Sequence, residues 1–306
     1  MAACGEMCED CRRRFTSMMG TVMPRRASIG SFVAVAAILV STLGAQALDD
    51  SKYPDWRGQW RRINLVSGPA SFDPTKTVGP GQQAPLIPEY QAIHKAALAD
   101  MDAGGFGIDR TNSCFSPGMP RIMNLYTVME ILIVQDAVHI LINNIRDNRR
   151  IYTDGRDWPQ GEIDPSFAGY SIGRWIDTAG SGRYDTLEIE TRGFKGPRFY
   201  DDTGLPLHKD NQTIVRESLY TDATDRDVMH DAITVIDHAL TRPWSAVKNY
   251  RRTLEAHPYW SENSCVEENQ HVRIGAESYM LSGDGLLMPV KKGQPPPDLR
   301  YFKTAK

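Results

Sequence analysis

The feature that most constrains the fold is a series of short segments in which apolar and polar residues alternate. One tight turn joins EILIVQD to VHILIN, and a Gly-Ser-Gly turn joins GYSIGRWIDT to DTLEIETRGF. A period of two residues is that of a half-buried β-strand, and a short turn between two such strands indicates an antiparallel hairpin. Further candidate strands are RRIYTDG, NQTIVRESLYTD, VMHDAITVID, SAVKNYRRT and EENQHVRIGAE.

A single stretch, LIPEYQAIHKAALADM, has the pattern of an amphipathic helix. Pro88 suits its first turn, and Tyr90, Ile93, Ala97 and Met101 recur on one face. The regions on either side of it are rich in Gly and Pro, which predicts long loops. About eight antiparallel strands with one helix predict a mainly-β protein, either a closed barrel or a sandwich.

A short motif favours the barrel. Gly58-Gln59-Trp60 stands at the start of the first candidate strand, and lipocalin-like barrels begin with a Gly-x-Trp of this kind. We therefore predict an antiparallel lipocalin-like barrel with one N-terminal amphipathic helix and long loops. The tail GQPPPDLRYF contains too much proline to continue a strand or a helix.

The N-terminal region has the layout of a secretory signal peptide. Arg25 and Arg26 precede an apolar core, Phe32–Leu43, and Ala45-Gln46-Ala47 matches an A-x-A cleavage site. The apolar core is shorter than the roughly 20 residues that a membrane span needs. We predict a possible mis-assigned extension at 1–22, a signal peptide at 23–47, and one domain at 48–306. The mature protein is expected in the periplasm or secreted, without a membrane span.

Three of the five cysteines lie upstream of the predicted cleavage site. Cys4, Cys8 and Cys11 have the C-x3-C-x2-C spacing of a four-iron cluster site, but a segment that is cut away cannot shield a cluster, so we expect no metal there. Cys114 and Cys265 remain. An exported chain with two cysteines usually joins them, and we predict this disulfide; the alternatives are two buried thiols or a nucleophilic cysteine.

The charge balance bears on the possible partners. Residues 1–47 carry five Arg and three acidic residues, so their removal takes the formal charge from −3 to −5. Binding to nucleic acid or to an anionic membrane surface needs a concentrated basic patch, so neither is expected. The sequence contains no H-E-x-x-H, G-x-S-x-G or phosphate-binding loop, and the loop DDTGLPLHKD lacks calcium-loop spacing. No metal or other cofactor is expected.

The densest group of ionisable residues is HDAITVIDH, residues 230–238. His230 and His238 share one strand face, and Asp237 points to the other. One interpretation places a histidine inside the barrel as a general base, oriented by a carboxylate. The other has Asp237 capping a turn, with His238 half-exposed. His139 is open to the same two interpretations, as a base or as a residue on the polar side of a hairpin, and Asp154 is a second candidate carboxylate.

Aromatic and arginine side chains could line a ligand pocket. Tryptophans would form apolar walls, and an arginine would offer its fork to a carboxylate or phenolate. The alternative is that the tryptophans plug the barrel ends and the arginines stack on them. The tentative ligand-binding residues are Trp60, Arg121, Arg150, Arg174, Trp175 and Trp244.

Several long motifs together resemble a widespread family of exported bacterial proteins over residues 54–280. They are CFSPGMPRIMN, RRIYTDGRDWP, FAGYSIGRW, DTLEIETRGF and Ile236-Asp237 followed by Thr241-Arg242-Pro243-Trp244. The resemblance implies a signal peptide and a β-rich, lipocalin-like fold. It carries no activity over to this chain.

The leading hypothesis is an exported binding or carrier protein for a small, largely apolar or aromatic molecule. The alternative is a cofactor-independent lyase, hydratase or isomerase. His238 or His139 would be its base, Asp237 or Asp154 would orient that base, and Arg121 or Arg150 would stabilise developing negative charge. A third hypothesis is a purely structural envelope protein.

Overall fold

The structure is a computed structural model, and it describes most of the chain after residue 47. The predicted signal peptide and the possible extension lie outside the described residues, as does most of the first predicted loop. The described ranges are 48–63, 84–124, 127–143, 148–201, 203–261, 265, 270–275 and 277–297.

Nine strands in these ranges close into a barrel. Each strand pairs with the next along the chain, and the ninth pairs with the first, so the described part of the barrel has no open sheet edge. The predicted mainly-β barrel is thus confirmed. The strands are β1 (Gln59–Arg62), β2 (Val128–Val134), β3 (Ala137–Ile142), β4 (Arg149–Tyr152), β5 (Tyr170–Ile176), β6 (Thr186–Arg192), β7 (Ile214–Thr221), β8 (Val228–Ile236) and β9 (Trp244–Arg252).

One pair of neighbours departs from the predicted antiparallel order. Strands β4 and β5 are parallel, with Ile151 opposite Ser171 and Tyr152 opposite Ile172. Parallel neighbours need a crossover connection, because the chain must return to the end at which the first strand began. Residues 153–169 provide that return. The antiparallel prediction is wrong for this pair and correct for the other neighbours in the barrel.

The predicted helix forms as α1 (Pro88–Asp102), with proline in its first turn. Tyr90 and Ala97 are buried, whereas Ile93 and Met101 are 38% and 39% exposed, so the predicted apolar face is only half covered. His94 contacts the hydroxyl of Thr203 at 3.0 Å. In the described ranges, no helix has both the length and the hydrophobicity that a membrane crossing requires.

A second, smaller sheet follows the barrel in sequence. It contains β10 (His271–Ile274), β11 (Glu277–Leu281) and β12 (Leu287–Pro289), paired antiparallel. The predicted disulfide joins Cys114, before β2, to Cys265, between β9 and β10, with 5.6 Å between their Cα atoms. A covalent link of this kind is compatible with an exported protein.

The alternation in the strands sorts side chains between the barrel interior and its outer face. Leu187 and Ile189 of β6 are buried, while Glu188 between them is exposed. Trp60 is fully buried, and the Arg252 guanidinium lies 4.6 Å from its ring centroid. This stacking is what the plug interpretation of the tryptophans predicts for one end of the barrel.

The other end of the barrel is closed by a second apolar cluster. The rings of Tyr200 and Trp244 lie 4.5 Å apart between their centroids. Val235, Leu205 and Leu207 are buried in the same cluster. Trp244 is therefore part of this packing and does not face an open pocket.

Candidate functional site

The interior of the barrel contains a buried ion pair. Arg149 of β4 donates two hydrogen bonds to Glu217 of β7, with Nη1–Oε1 at 2.8 Å and Nη2–Oε2 at 2.6 Å. Both side chains are 0% exposed. Paired guanidinium–carboxylate bonds are the strongest kind of ion pair in proteins. Thr191 accepts a longer bond from Arg149 at 3.5 Å and bonds Ser171 at 2.9 Å.

A second carboxyl lies beside this pair. Asp231 of β8 is fully buried and stands opposite Lys248 of β9. Burial, followed by the negative charge of Glu217, raises the pKa of Asp231 well above its ordinary value, although Arg149 and Lys248 act in the opposite direction. Among the described residues, none donates a hydrogen bond to either carboxyl oxygen of Asp231. The protonated, neutral acid is therefore the favoured form over a wider pH range than in the unfolded chain.

The sequence analysis selected histidines as candidate bases and did not identify the buried charges of Arg149, Glu217 and Asp231. The face of β8 that points inward carries Met229, Asp231 and Ile233, and the histidine face points outward. The interpretation that puts a histidine inside the barrel is therefore wrong for His230. The sequence does contain an indication of the buried glutamate. Glu217 occupies one of the alternating positions of β7 that otherwise carry apolar residues, between Val215 and Leu219.

A different cluster forms at the end of the barrel beside α1. His208 Nδ1 lies 2.9 Å from Asp210 Oδ1, and His238 Nδ1 lies 2.6 Å from Asp210 Oδ2. Burial acts to raise the pKa of Asp210, but hydrogen bonds from His238, the Gln212 amide and His208 outweigh it and lower that pKa to about 2. The bond to Asp210 raises the pKa of His238.

Asp237 holds the two loops of this cluster together. Its Oδ1 accepts the backbone N–H groups of His208 and Ala239, each at 2.8 Å, and its Oδ2 accepts the hydroxyl of Thr213. Arg198 Nη2 lies 3.8 Å from the same Oδ2. Burial lowers the pKa of Arg198 to about 10, opposed by the charges of Asp237 and Asp210. Asp237 thus caps the turn after β8.

A groove of about 420 Å³ lies on the outer face of the barrel, over β5, β6, β7 and β8. Its outward-facing side chains form two rows across the four strands. The first row is Arg174, Glu188, Ser218 and Ala232, and the second row is Ile172, Glu190, Arg216 and Thr234.

The two arginines of the groove differ in how tightly they are held. Arg216 Nε donates to Glu190 at 2.7 Å, and the same carboxylate accepts a bond from Arg192 Nε at 2.6 Å. Arg174 Nη2 lies 3.8 Å from Glu188, and its side chain is 79% exposed. Because its ion pair is long and solvated, Arg174 can turn toward an anion at little cost.

An array of arginines and aromatic rings adjoins the groove at the start of β5. Arg156 lies 3.7 Å from the ring centroid of Tyr152, whose ring is 5.1 Å from that of Tyr170. Arg192 lies 4.4 Å from the ring centroid of Trp158. Three segments of the predicted family resemblance, RRIYTDGRDWP, FAGYSIGRW and DTLEIETRGF, supply these residues.

The structure distributes the tentative catalytic residues over separate places. His139 is half-buried on the outer face of β3, opposite Arg150, and burial with the Arg150 charge lowers its pKa. Asp154 follows β4 and pairs with Arg156 at 2.6 Å. His238 is 68% exposed at the barrel end. The convergence that the enzyme hypothesis requires is therefore not found among these residues, and their roles remain predictions.

His230 is on the outer face of β8. Its Nε2 lies 3.0 Å from Asp222 Oδ2, and its Nδ1 lies 2.8 Å from Asn249 Oδ1. Both ring nitrogens are thus engaged, one with Asp222 and one with the buried Asn249, and His230 stands on the outward-facing side of β8.

The tentative ligand-binding residues are also dispersed, and Arg174 is the one that lines the groove. Arg121 is buried in a 2.7 Å ion pair with Asp109. Arg150 is exposed on the outer face of β4, and Trp175 packs with Trp56, with 5.2 Å between ring centroids. Known protein-family models and characterised proteins give no match to this chain.

Proposed function

We propose that the protein is an exported binding protein for a small molecule with an aromatic or apolar body and an anionic group. The ligand would lie in the outer-face groove rather than inside the barrel. The observation that carries the proposal is the groove itself, because its volume of about 420 Å³ lies within the range of small-molecule sites.

The chemistry of the two rows supports a ligand of this class. Ile172 and Ala232 offer apolar surface at opposite corners of the array. Ser218 and Thr234 add hydroxyl groups that can donate or accept. Arg174 supplies an exposed guanidinium, which matches the two oxygens of a carboxylate.

The position of the interior charges argues against a ligand within the barrel. Arg149 and Glu217 satisfy each other at 2.8 and 2.6 Å, and neither side chain has exposed surface. A ligand that separated this pair would leave buried charges without partners, and removing one partner from such a pair costs about 3–5 kcal/mol. The groove requires no such rearrangement.

Export and family membership are part of the proposal. The signal peptide predicted at 23–47 and the disulfide between Cys114 and Cys265 support a periplasmic or secreted protein. The long shared motifs support membership of the family of exported bacterial proteins named above.

A fluorescent anion with an aromatic body tests the proposal. We expect the full chain to bind 1-anilinonaphthalene-8-sulfonate saturably, with competition by benzoate. Arg174→Ala should weaken binding about fivefold, the equivalent of about 1 kcal/mol for an exposed charge contact. Arg242→Ala is the matched control, since Arg242 is exposed in the turn after β8. Binding that is equal in the Arg174 and Arg242 variants would overturn the proposal, as would the absence of saturation.

A neutral probe separates the two parts of the ligand. N-phenyl-1-naphthylamine has the same aromatic body without the sulfonate. Its affinity should be unchanged by Arg174→Ala, because the arginine acts on the anionic group alone. An equal loss for both probes would mean that the substitution disturbs the groove rather than the charge contact.

A further inference from the structure

Two imidazoles and one carboxylate meet at the barrel end beside α1. His208 and Asp210 come from the loop before β7, and His238 comes from the turn after β8. The three ligand atoms that they offer lie within 4.8 Å of one another. This combination of nitrogen and oxygen donors belongs to the set that binds divalent transition metals in proteins.

The donor atoms lie near the spacing that one shared metal ion requires. Two donors that are each about 2.1 Å from one ion lie about 3.0 Å apart along an octahedral edge and about 3.4 Å apart in a tetrahedron. The observed separations are 2.9 Å between His208 Nδ1 and Asp210 Oδ1 and 2.6 Å between His238 Nδ1 and the other carboxylate oxygen, Oδ2. The three ligand atoms as a set lie within 4.8 Å of one another, so rotation of the side chains must bring the most distant pair closer before one ion can bind all three.

Asp210 contacts one ring nitrogen of His208 through both its backbone and its carboxylate. The backbone nitrogen of Asp210 lies 3.2 Å from His208 Nδ1. Asp210 Oδ1 lies 2.9 Å from the same nitrogen. Asp210 therefore holds the His208 imidazole beside its own carboxylate, so two of the three candidate ligands are already positioned together.

The supporting residues hold the cluster in place. The buried carboxylate of Asp237 accepts the backbone N–H of His208 at 2.8 Å and that of Ala239 at 2.8 Å, which fixes one loop against the other. The ring of Tyr90 lies 5.2 Å from that of His208, and its hydroxyl accepts the backbone N–H of Lys209 at 3.1 Å. Ligands fixed in this way lose little freedom when an ion binds.

We propose that His208, Asp210 and His238 form a binding site for one divalent transition-metal ion, with Zn²⁺ as the representative. Two nitrogens and one oxygen leave at least one coordination position open. His238 is 68% exposed, so the cluster can be reached from solvent. Sites with an open position can bind a water molecule or an exogenous ligand. The site lies at the barrel end and does not depend on the outer-face groove.

The experiment measures Zn²⁺ binding to the full chain by isothermal titration calorimetry. Cys4, Cys8 and Cys11 are changed to serine in every sample, because their thiolates could bind Zn²⁺ themselves. The variants are His238→Ala, whose side chain is exposed, and Asp210→Asn, which keeps the shape of the side chain. The matched control is His257→Ala, since His257 is exposed elsewhere on the surface.

We expect one Zn²⁺ per chain, bound at least about 100-fold more weakly by the His238 and Asp210 variants and unchanged in the control. Co²⁺ in place of Zn²⁺ should give visible absorption bands that the His238 variant lacks. Equal affinity in the His238→Ala and His257→Ala chains would overturn the proposal. Absence of saturable binding would also overturn it.

Discussion

Replacing Glu217 by glutamine should lower the free energy of unfolding by about 3–5 kcal/mol, the cost of removing one partner from a buried ion pair. Arg149 donates two hydrogen bonds to Glu217, at 2.8 and 2.6 Å, and both side chains are 0% exposed. A glutamine amide can accept one of these bonds, and its NH2 group opposes the other. Each lost bond to a charged group contributes about 1.5–3 kcal/mol.

Asp231 should determine where in this range the result falls. The Glu217 charge is the second cause, after burial, of the raised pKa of Asp231. With glutamine at 217 that repulsion is gone, so Asp231 ionises more readily and neutralises part of the Arg149 charge. The combination of Glu217→Gln with Asp231→Asn should therefore cost about 1 kcal/mol more than the sum of the two single changes.

Urea unfolding followed by tryptophan fluorescence and circular dichroism, with the disulfide intact, measures these differences. Glu188→Gln is the matched control, because Glu188 is 54% exposed and lies 3.8 Å from Arg174. Its effect should stay below about 1 kcal/mol. A Glu217 variant no less stable than the Glu188 variant would refute the reasoning, since the buried pair would then contribute no more than a solvated one.

Two further predictions concern stability. Folding raises the pKa of Asp231. Its contribution to the free energy of unfolding is therefore fully present below its unfolded pKa of about 3.9. That contribution is lost as pH rises toward the folded pKa, by at most about 1.4 kcal/mol per pH unit. Asp231→Asn should remove this dependence of the free energy of unfolding on pH. The prediction is contradicted if the urea midpoints of the variant and of the unchanged protein vary with pH in the same way. The double change of Cys114 and Cys265 to serine should lower the free energy of unfolding by up to about 4–5 kcal/mol on the chain-entropy estimate; an unchanged urea midpoint would count against it.

Alternation along single strands allowed much of the barrel to be predicted. Hairpins depend on neighbouring segments and short turns, so β2–β3, β5–β6 and β7–β8 could be read directly from the sequence. The direction of β5 relative to β4 could not, because residues 153–169 contain no pattern that distinguishes a crossover from an ordinary loop. The helix was predicted from its periodicity, whereas the exposure of Ile93 and Met101 depends on which segment covers α1.

The candidate sites were harder to predict because they depend on contacts between distant segments. His208 and His238 meet through Asp210, and no spacing within one segment indicates that contact. The inward charges could have been found, since Glu217 and Asp231 each interrupt the apolar phase of a strand. The groove arises from four strands side by side and has no signature in any one of them.

The position of a bound ligand tests the central claim most directly. A crystal structure of the full chain grown with 1-anilinonaphthalene-8-sulfonate should show the sulfonate beside Arg174, on the outer face of the barrel between β5 and β8. Density for the ligand inside the barrel, between Arg149 and Asp231, would contradict the claim that the binding surface of this protein is external.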